Sequence, residues 1–328
     1  MMSKYCEKDD RCLNKISIAV SVFNEEKVLK KFWDEVKKNL SDLKIEFEVL
    51  FVNDGSSDNS SYILSELSKK NTNIKVINFS RNYGHEAAMI AGIDYSSGDV
   101  VICMDADLQN PPEKIKDMVE KYLKGFDIVT MRRVENEGAS ISKKIASKIF
   151  YSILNLISPI KFEPNTSDFF LISNRIADIL RTNFRERNRF LRGFLQMLGF
   201  SRATIDYVAP ERAAGKSKYS YAKLFKLSLT AVATFSNLPL RLGVIFGIFM
   251  GALSIVVGIY SLVMKLLGYV IPGYTTVVVL ISFLFAVQLF VTGLIGEYLG
   301  FLFEENKKRP IYIVDKVISH EQHNGEVE

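Results

Sequence analysis

Short apolar runs recur along the first 130 residues, and each stops abruptly in a polar cluster. Ile16–Val22, Phe47–Val52, Ile74–Phe79 and the run starting at Val100 have the length and β-branched content of buried strands. The stretches between them change period. Lys27 to Leu40, Ser60 to Lys70 and Glu86 to Tyr95 carry apolar residues at helical spacing, and in the last of these Ala87, Ala88, Ala91 and Gly92 permit close packing. Strands alternating with helices predict a mostly parallel sheet covered on both faces. Ligands of such sheets bind beyond the carboxyl ends of the strands. Three strand ends here carry the polar clusters Phe23-Asn-Glu-Glu26, Asn53-Asp-Gly-Ser-Ser-Asp-Asn59 and Asp105-Ala-Asp107-Leu-Gln109-Asn-Pro-Pro-Glu113.

Two later runs are longer than a soluble domain needs. Leu242 to Met264 and Thr275 to Leu294 are almost wholly apolar. At about 1.5 Å per residue, about 20 residues span a hydrocarbon core of about 30 Å. The intervening Lys265-Leu-Leu-Gly-Tyr-Val-Ile-Pro-Gly-Tyr274 reads as a tight turn with interfacial aromatics. Arg241 before the hairpin and Lys307-Lys-Arg309 after it place both ends in the cytoplasm by the positive-inside rule. Ile141 to Ile157 and Tyr219 to Phe235 are basic and amphipathic. They suit the headgroup plane of a membrane, or packing against the sheet.

Composition adds bounds. Lys and Arg number 42 against 37 Asp and Glu, a net charge of +5 that fits anionic lipid or phosphate and is too small to indicate nucleic-acid binding. Three cysteines do not make a disulfide framework. Cys103 reads as a core residue, Cys6 and Cys12 lack partners at zinc spacing, and a reduced, cytoplasmic environment is the better reading. The first fifteen residues contain no apolar signal-peptide core. Neither G-x-G-x-x-G after the first strand nor G-x-x-x-x-G-K-[ST] occurs, which argues against dinucleotide-binding oxidoreductases and P-loop NTPases.

The cluster after Val100 is the main chemical signal. Asp105, Asp107 and Gln109 are spaced by two, so an extended chain sets three hard oxygen donors on one face, suited to a divalent cation shared with phosphate. An ordinary Asp-rich turn is the alternative. Together with Val20-Ser-Val-Phe-Asn-Glu-Glu26, Val52-Asn-Asp-Gly-Ser-Ser-Asp58 and Ser80-Arg-Asn-Tyr-Gly-His-Glu-Ala-Ala88, the motif resembles the family 2 glycosyltransferases of GT-A fold. The terminal hairpin, Gly296-Glu-Tyr-Leu-Gly300 and Lys308-Arg-Pro-Ile-Tyr312 narrow the resemblance to membrane polyprenyl-phosphate glycosyltransferases, such as bactoprenol glucosyltransferases and dolichol-phosphate mannose synthases.

That resemblance implies roles. Asp107, Gln109 and Asp105 would hold Mg²⁺ or Mn²⁺, with Asp105 also meeting the donor's ribose. Asp54 would accept from the base. Glu25 is a candidate ribose contact, with a helix-dipole role as its rival. Asp168 in Asn165-Thr-Ser-Asp-Phe-Phe-Leu171 would lie at the acceptor, orienting it or serving as a base, and Asp107 completes the catalytic pair. The family often has Arg two residues after this aspartate, where this chain has Phe170. The acceptor phosphate must then lean on Arg132 and Arg133 after the Ile128-Val-Thr strand, or on Arg189 and Arg192. Arg212, Lys216 and Lys218, in a Gly/Ser-containing loop, would cover the donor pyrophosphate. A solvated surface charge is the alternative for any one of these cations. His85 stands where relatives often carry Lys; a lone histidine is more often structural, and it is read so. No Q-x-x-R-W motif is present, which favours transfer of a single sugar over polymer synthesis.

The expected architecture is therefore α/β: a polar extension over 1–15, a GT-A (Rossmann-like, mostly parallel) domain over 16–218, an interfacial amphipathic helix over 219–239, transmembrane helices over 240–267 and 275–300, and a cytoplasmic tail over 301–328. The expected activity is inverting transfer of one sugar from a nucleotide sugar, with UDP favoured, to undecaprenyl or another polyprenyl phosphate at the cytoplasmic face of a bacterial inner membrane. The alternatives are transfer to a hydroxyl of a lipid-linked or surface glycan, and a silent membrane scaffold partnering a flippase. Nucleic acid is not expected as a partner; a homo-oligomer and a downstream flippase or glycosyltransferase are compatible with this reading.

Overall fold

The structure, a computed structural model, describes residues 11–134, 152, 155, 163–164, 166–186, 189–208, 210, 238–269 and 273–320. Both basic amphipathic segments, 141–157 and 219–235, lie essentially outside the described residues, as does the loop with Arg212, Lys216 and Lys218. The chain forms two units. One comprises 1–155, 160–219 and 310–328, the other 156–159 and 220–309.

The first unit is built on one eight-stranded sheet. Its strands are β1 (Lys15–Val22), β2 (Glu46–Asn53), β3 (Ile74–Phe79), β4 (Val100–Asp105), β5 (Ile128–Arg133), β6 (Thr166–Ser173), β7 (Arg202–Tyr207) and β8 (Val314–Ser319), in the order β7-β5-β6-β4-β1-β2-β3-β8. β1 pairs in parallel with β2 and β4, β2 with β3, and β5 with β7; β6 runs antiparallel to β4 and β5, and β8 antiparallel to β3. The sheet is thus mixed, with the doubly wound half expected from the sequence and an antiparallel extension on each side. β8, which the sequence reading placed in a tail, returns to this sheet after the apolar helices.

Burial explains why the first four strands are so plain in the sequence. β1 and β4 are covered on both faces, so successive positions are buried, apolar throughout Val100–Met104 and interrupted only by Ser17 and Ser21 within Ile16–Val22. Helix α1 (Leu29–Leu43) turns Leu29, Phe32, Trp33, Val36, Leu40 and Leu43 inward, one stripe at helical spacing. α2 (Ser60–Lys70) and α4 (Lys114–Leu123) cover the sheet with narrower stripes. α3 (His85–Asp94) is buried nearly all round, from Ala87 to Ile93. A Cβ at its Gly92 would lie 2.4 Å from Ala19 Cβ, so only glycine lets α3 sit this close to β1. α5 (Asn174–Asn183) and α6 (Leu191–Met197) complete the described helices of this unit. Cys103 is buried and free, as read, while Cys12 takes part in a disulfide.

The second unit holds two long apolar helices, α7 (Leu238–Leu266) and α8 (Tyr274–Asn306). Gly243–Leu266 and Val279–Asn306 are long and apolar enough to cross a membrane, with mean hydropathies of 2.2 and 2.3. Their side chains are largely uncovered by protein: Ile248, Leu289 and Phe290 are each 69% exposed.

Gly92→Ala should overpack the α3–β1 contact and cost about 1–3 kcal/mol. Thermal unfolding of the full chain checks this; an unchanged midpoint would mean the contact is looser than described.

Candidate active site

β1 and β4 are neighbours in the sheet, yet the chain leaves β1 toward β2 and β3 before crossing back to β4. Strand order reverses at this point, and a crevice opens beyond the carboxyl ends of the two strands. The polar clusters meet around it.

The first two clusters brace one another. Asn24, in a left-handed conformation (φ 57°), accepts from Ser57 N at 2.8 Å; Glu25 N donates to Ser60 Oγ at 2.9 Å. Glu26 N donates to Asp58 Oδ2 at 3.2 Å, and Asn59 N donates back to Glu26 Oε2 at 3.0 Å across the same gap. Asp54 is buried and accepts from Asn82 Nδ2 (2.9 Å), Tyr83 N (2.6 Å) and Gly84 N (3.0 Å). Burial raises its carboxyl, with the Tyr83 and Gly84 amides acting against this. Asp54 therefore gathers the Arg81–Gly84 loop. Gly55 beside it has φ +65°, and a Cβ there would fall 2.5 Å from the Arg81 carbonyl carbon, so the loop can approach only a glycine. This loop, Arg189 and Ile311 line a cavity of about 280 Å³.

The third cluster departs from the extended geometry read from its spacing. β4 ends at Asp105, and a turn follows in which Asp107 Oδ1 accepts from Gln109 N at 3.0 Å and Leu108 takes φ 61°. A non-glycine residue with positive φ is uncommon and is held by its surroundings; Leu108 packs on the core. The two-residue alternation thus stops at Asp105. Among the described residues no three His, Cys, Asp or Glu side chains gather as a metal site on their own. The donor set nonetheless fits a Mg²⁺-type cation, which takes one or two carboxylates and completes its shell with water and substrate phosphate.

His85, read from the sequence as structural, lies at the centre of the crevice. Its Nδ1 is 3.3 Å from Asp105 Oδ1 and 3.2 Å from Ser21 Oγ, and its Nε2 is 3.4 Å from Asp168 Oδ2. Arg192 Nε reaches the other Asp168 oxygen at 2.8 Å, and its Nη1 donates to Thr166 O at 2.9 Å. Burial acts to lower His85, but Asp105 and then Asp168 outweigh it and push it up to about 10. Burial likewise acts to raise Asp168, while Arg192 and then His85 hold it well below the usual carboxylate range. Asp105 is raised by burial, with His85 opposing and Asp168 and Asp107 adding to the effect. Glu86 Oε2 accepts from Leu191 N at 2.8 Å, tying α3 to the helix that presents Arg192.

The remaining cations divide. Arg132 makes a two-bond pair with Asp206 (2.6 and 2.9 Å), its parallel neighbour on β7, at an exposed position, and so is engaged away from Asp168. Arg133, one residue on and on the opposite face of the strand, approaches Gln109 Oε1 at 3.4 Å. Arg189 Nη1 donates to Glu186 O at 3.3 Å and borders the Asp54 loop. Phe170 is fully buried, and Arg192 supplies the cation beside Asp168 that the sequence lacks two residues further on.

Residues 17–180, half of the 328-residue chain, match the family model for glycosyl transferase family 2. The uncharacterized glycosyltransferase YkcC of Bacillus subtilis (strain 168) is 38% identical over 301 residues, covering 92% of this chain and 93% of its own. The bactoprenol glucosyl transferase of Shigella phage SfII is 37% identical over 303 residues, covering 92% and 98%. A crystal structure of glucosyl-3-phosphoglycerate synthase from Mycobacterium tuberculosis with Mn²⁺, uridine diphosphate and phosphoglyceric acid is 17% identical, covering 67% of this chain and 77% of that one, with a TM-score of 0.47. Because the family match takes in all three polar strand ends and the relatives align over nine-tenths of the sequence, this chain belongs to glycosyl transferase family 2.

Proposed function

We propose that the protein transfers one sugar, with inversion, from a nucleotide sugar (a UDP-sugar is favoured) to the phosphate of a polyprenyl lipid such as undecaprenyl phosphate. The observation that carries this reading is the pairing of Asp168, whose two oxygens meet Arg192 Nε at 2.8 Å and His85 Nε2 at 3.4 Å. A general base works best with a pKa near the operating pH, and a carboxylate held far below it by Arg192 and His85 is a poor base toward an alcohol. A lipid phosphate is already ionised at neutral pH and needs no proton removed. One of its oxygens attacks the anomeric carbon, and the bond from that carbon to the donor's diphosphate oxygen breaks. The electron pair leaves on the nucleoside diphosphate. Asp168 then orients the cations that meet the incoming phosphate, with Arg192 and Arg133 as the described candidates. The Asp54-gathered loop, with Glu25 opposite, receives the nucleoside end. Asp107, Asp105 and Gln109 would hold Mg²⁺ or Mn²⁺, whose chemistry is to neutralise the departing diphosphate.

The two apolar helices fit membrane anchoring, with the uncovered side chains facing lipid. β7 precedes the hairpin in the chain and β8 follows it, and both belong to the same sheet. The Lys and Arg at those ends favour the cytoplasm. Similarity to bactoprenol glucosyl transferases over nine-tenths of the chain supports the lipid acceptor.

Membranes containing the protein should label undecaprenyl phosphate from one member of a panel of radiolabelled nucleotide sugars, the product being identified by mass spectrometry. Labelling only of a hydroxyl acceptor would overturn the phosphate reading, and failure to bind any nucleotide sugar would favour a silent scaffold. Asp107→Asn and Asp168→Asn should each lower transfer by about 10²-fold or more, the scale of losing one preorganised electrostatic partner. Wild-type turnover by either would remove that residue from the mechanism.

The depressed Asp168 carboxyl fixes a sign. Its stabilising contribution is complete above the ordinary unfolded value of about 4 and is lost as pH falls through the lower folded value. Single-turnover rates from about pH 7 to 9, above the second phosphate ionisation near 6, should show no limb from this carboxylate. A limb that disappears in Asp168→Asn would instead mark a true base.

A further inference from the structure

Tyr312 closes the Lys308-Arg-Pro-Ile-Tyr312 motif and lies just before β8, in a stretch with no role so far. Its ring stacks on Phe79 at the end of β3, with centroids 4.9 Å apart and planes 13° apart. Phe79 in turn meets Tyr83 edge-on at 5.7 Å, and Arg81 lies 4.2 Å over the Tyr83 ring. Ser80 N donates to Ile313 O at 3.0 Å, fixing the start of the same loop to the same stretch. The Tyr312 hydroxyl donates to Asp94 Oδ2 at 2.6 Å, and Arg185 Nη1 pairs with both Asp94 oxygens at 2.8 and 3.0 Å. Asp94 is the last residue of α3, whose first residue is His85. Ile311, next to Tyr312, forms a wall of the 280 Å³ cavity that Arg81, Asn82, Tyr83 and Gly84 line from the other side. Burial and then Asp94 raise the Tyr312 phenol, which keeps it a donor through the neutral range.

We propose that Pro310–Ser319 is a strap that positions the nucleoside-binding loop, and that Tyr312 is its positioning residue, acting on donor affinity through Phe79, Tyr83 and Asp94. The inference rests on the reading of the Asp54 loop as the nucleoside end of the site. Preorganisation is the physical basis: a loop already held in its binding conformation loses less freedom when the ligand arrives. The strap's ring contact and hydrogen bonds reach Phe79, Ser80 and Asp94, so its influence is expected on binding of the donor rather than on the chemical step.

The test uses the full chain in detergent with undecaprenyl phosphate, UDP-glucose and UDP, comparing wild type with Tyr312→Phe and Tyr312→Leu. Tyr312→Phe should raise the donor KM and the UDP Kd about 10-fold, or about 1.4 kcal/mol. Removal of uniform binding leaves kcat and the acceptor KM within about 2-fold. Tyr312→Leu, which also loses the stack, should show a larger rise. If the thermal midpoint or kcat falls while UDP Kd stays at the wild-type value, Tyr312 is merely structural and the proposal fails. Should the Tyr312 variants not accumulate as folded protein, Asp94→Asn and Ile311→Ala are read for the same rise in UDP Kd, and wild-type affinity in both sinks the strap. A wild-type protein that binds no UDP would overturn the donor reading itself, whereas wild-type binding that the variants leave unaltered overturns only the strap.

Discussion

Negative charge accumulates at the crevice between β1 and β4, and the site depends on how that charge is balanced. Asp105, Asp168 and Glu86 converge there, and part-buried carboxylates without counter-charges would not remain ionised together. His85 spans two of them and Arg192 takes the free side of Asp168. These five groups come from four elements, β4, the start of α3, β6 and α6, so each ion pair also fixes one element against another. Deleting a single partner would leave the others uncompensated, which costs more than the pair itself contributes.

α3 is the physical link between this cluster and the rest of the unit. Its first residue supplies the imidazole; its middle lies tight on β1 because Gly92 has no side chain. Its last turn is capped by Arg181, which donates to Ile93 O at 2.8 Å and Ser96 O at 2.9 Å. A helix held at both ends and along its length transmits little freedom to His85. That rigidity suits a residue that must sit between two carboxylates without closing on either.

Much of the first half of the fold was legible because strands buried on both faces must be apolar at successive positions, and β3, α2 and β4 begin where the patterning places them. β8 was not: its Val-Asp-Lys-Val-Ile-Ser composition suits an edge, where one side faces solvent and the signal is weak. The three polar strand ends were also legible as a site. The exchange of roles within it was not. His85 and Asp168 are far apart in the chain, and only the pairing of β4 with β6 brings them together. Arg132 and Arg133 look equivalent as a dipeptide, but strand alternation sends one to Asp206 and the other toward Gln109. The Asp107–Gln109 turn likewise hinges on the left-handed Leu108, a conformation that leucine does not advertise.

The return of the chain to β3 after the apolar helices has a practical side. A fragment ended before α7 to obtain a water-soluble enzyme would lack β8 and leave β3 as the border of the sheet. Val76, Ile77 and Phe79, now buried, would then line an unpaired edge whose amides and carbonyls await another strand. Such edges are templates for association between molecules. In this protein, solubility of the sheet domain thus depends on residues encoded beyond its most water-averse segment.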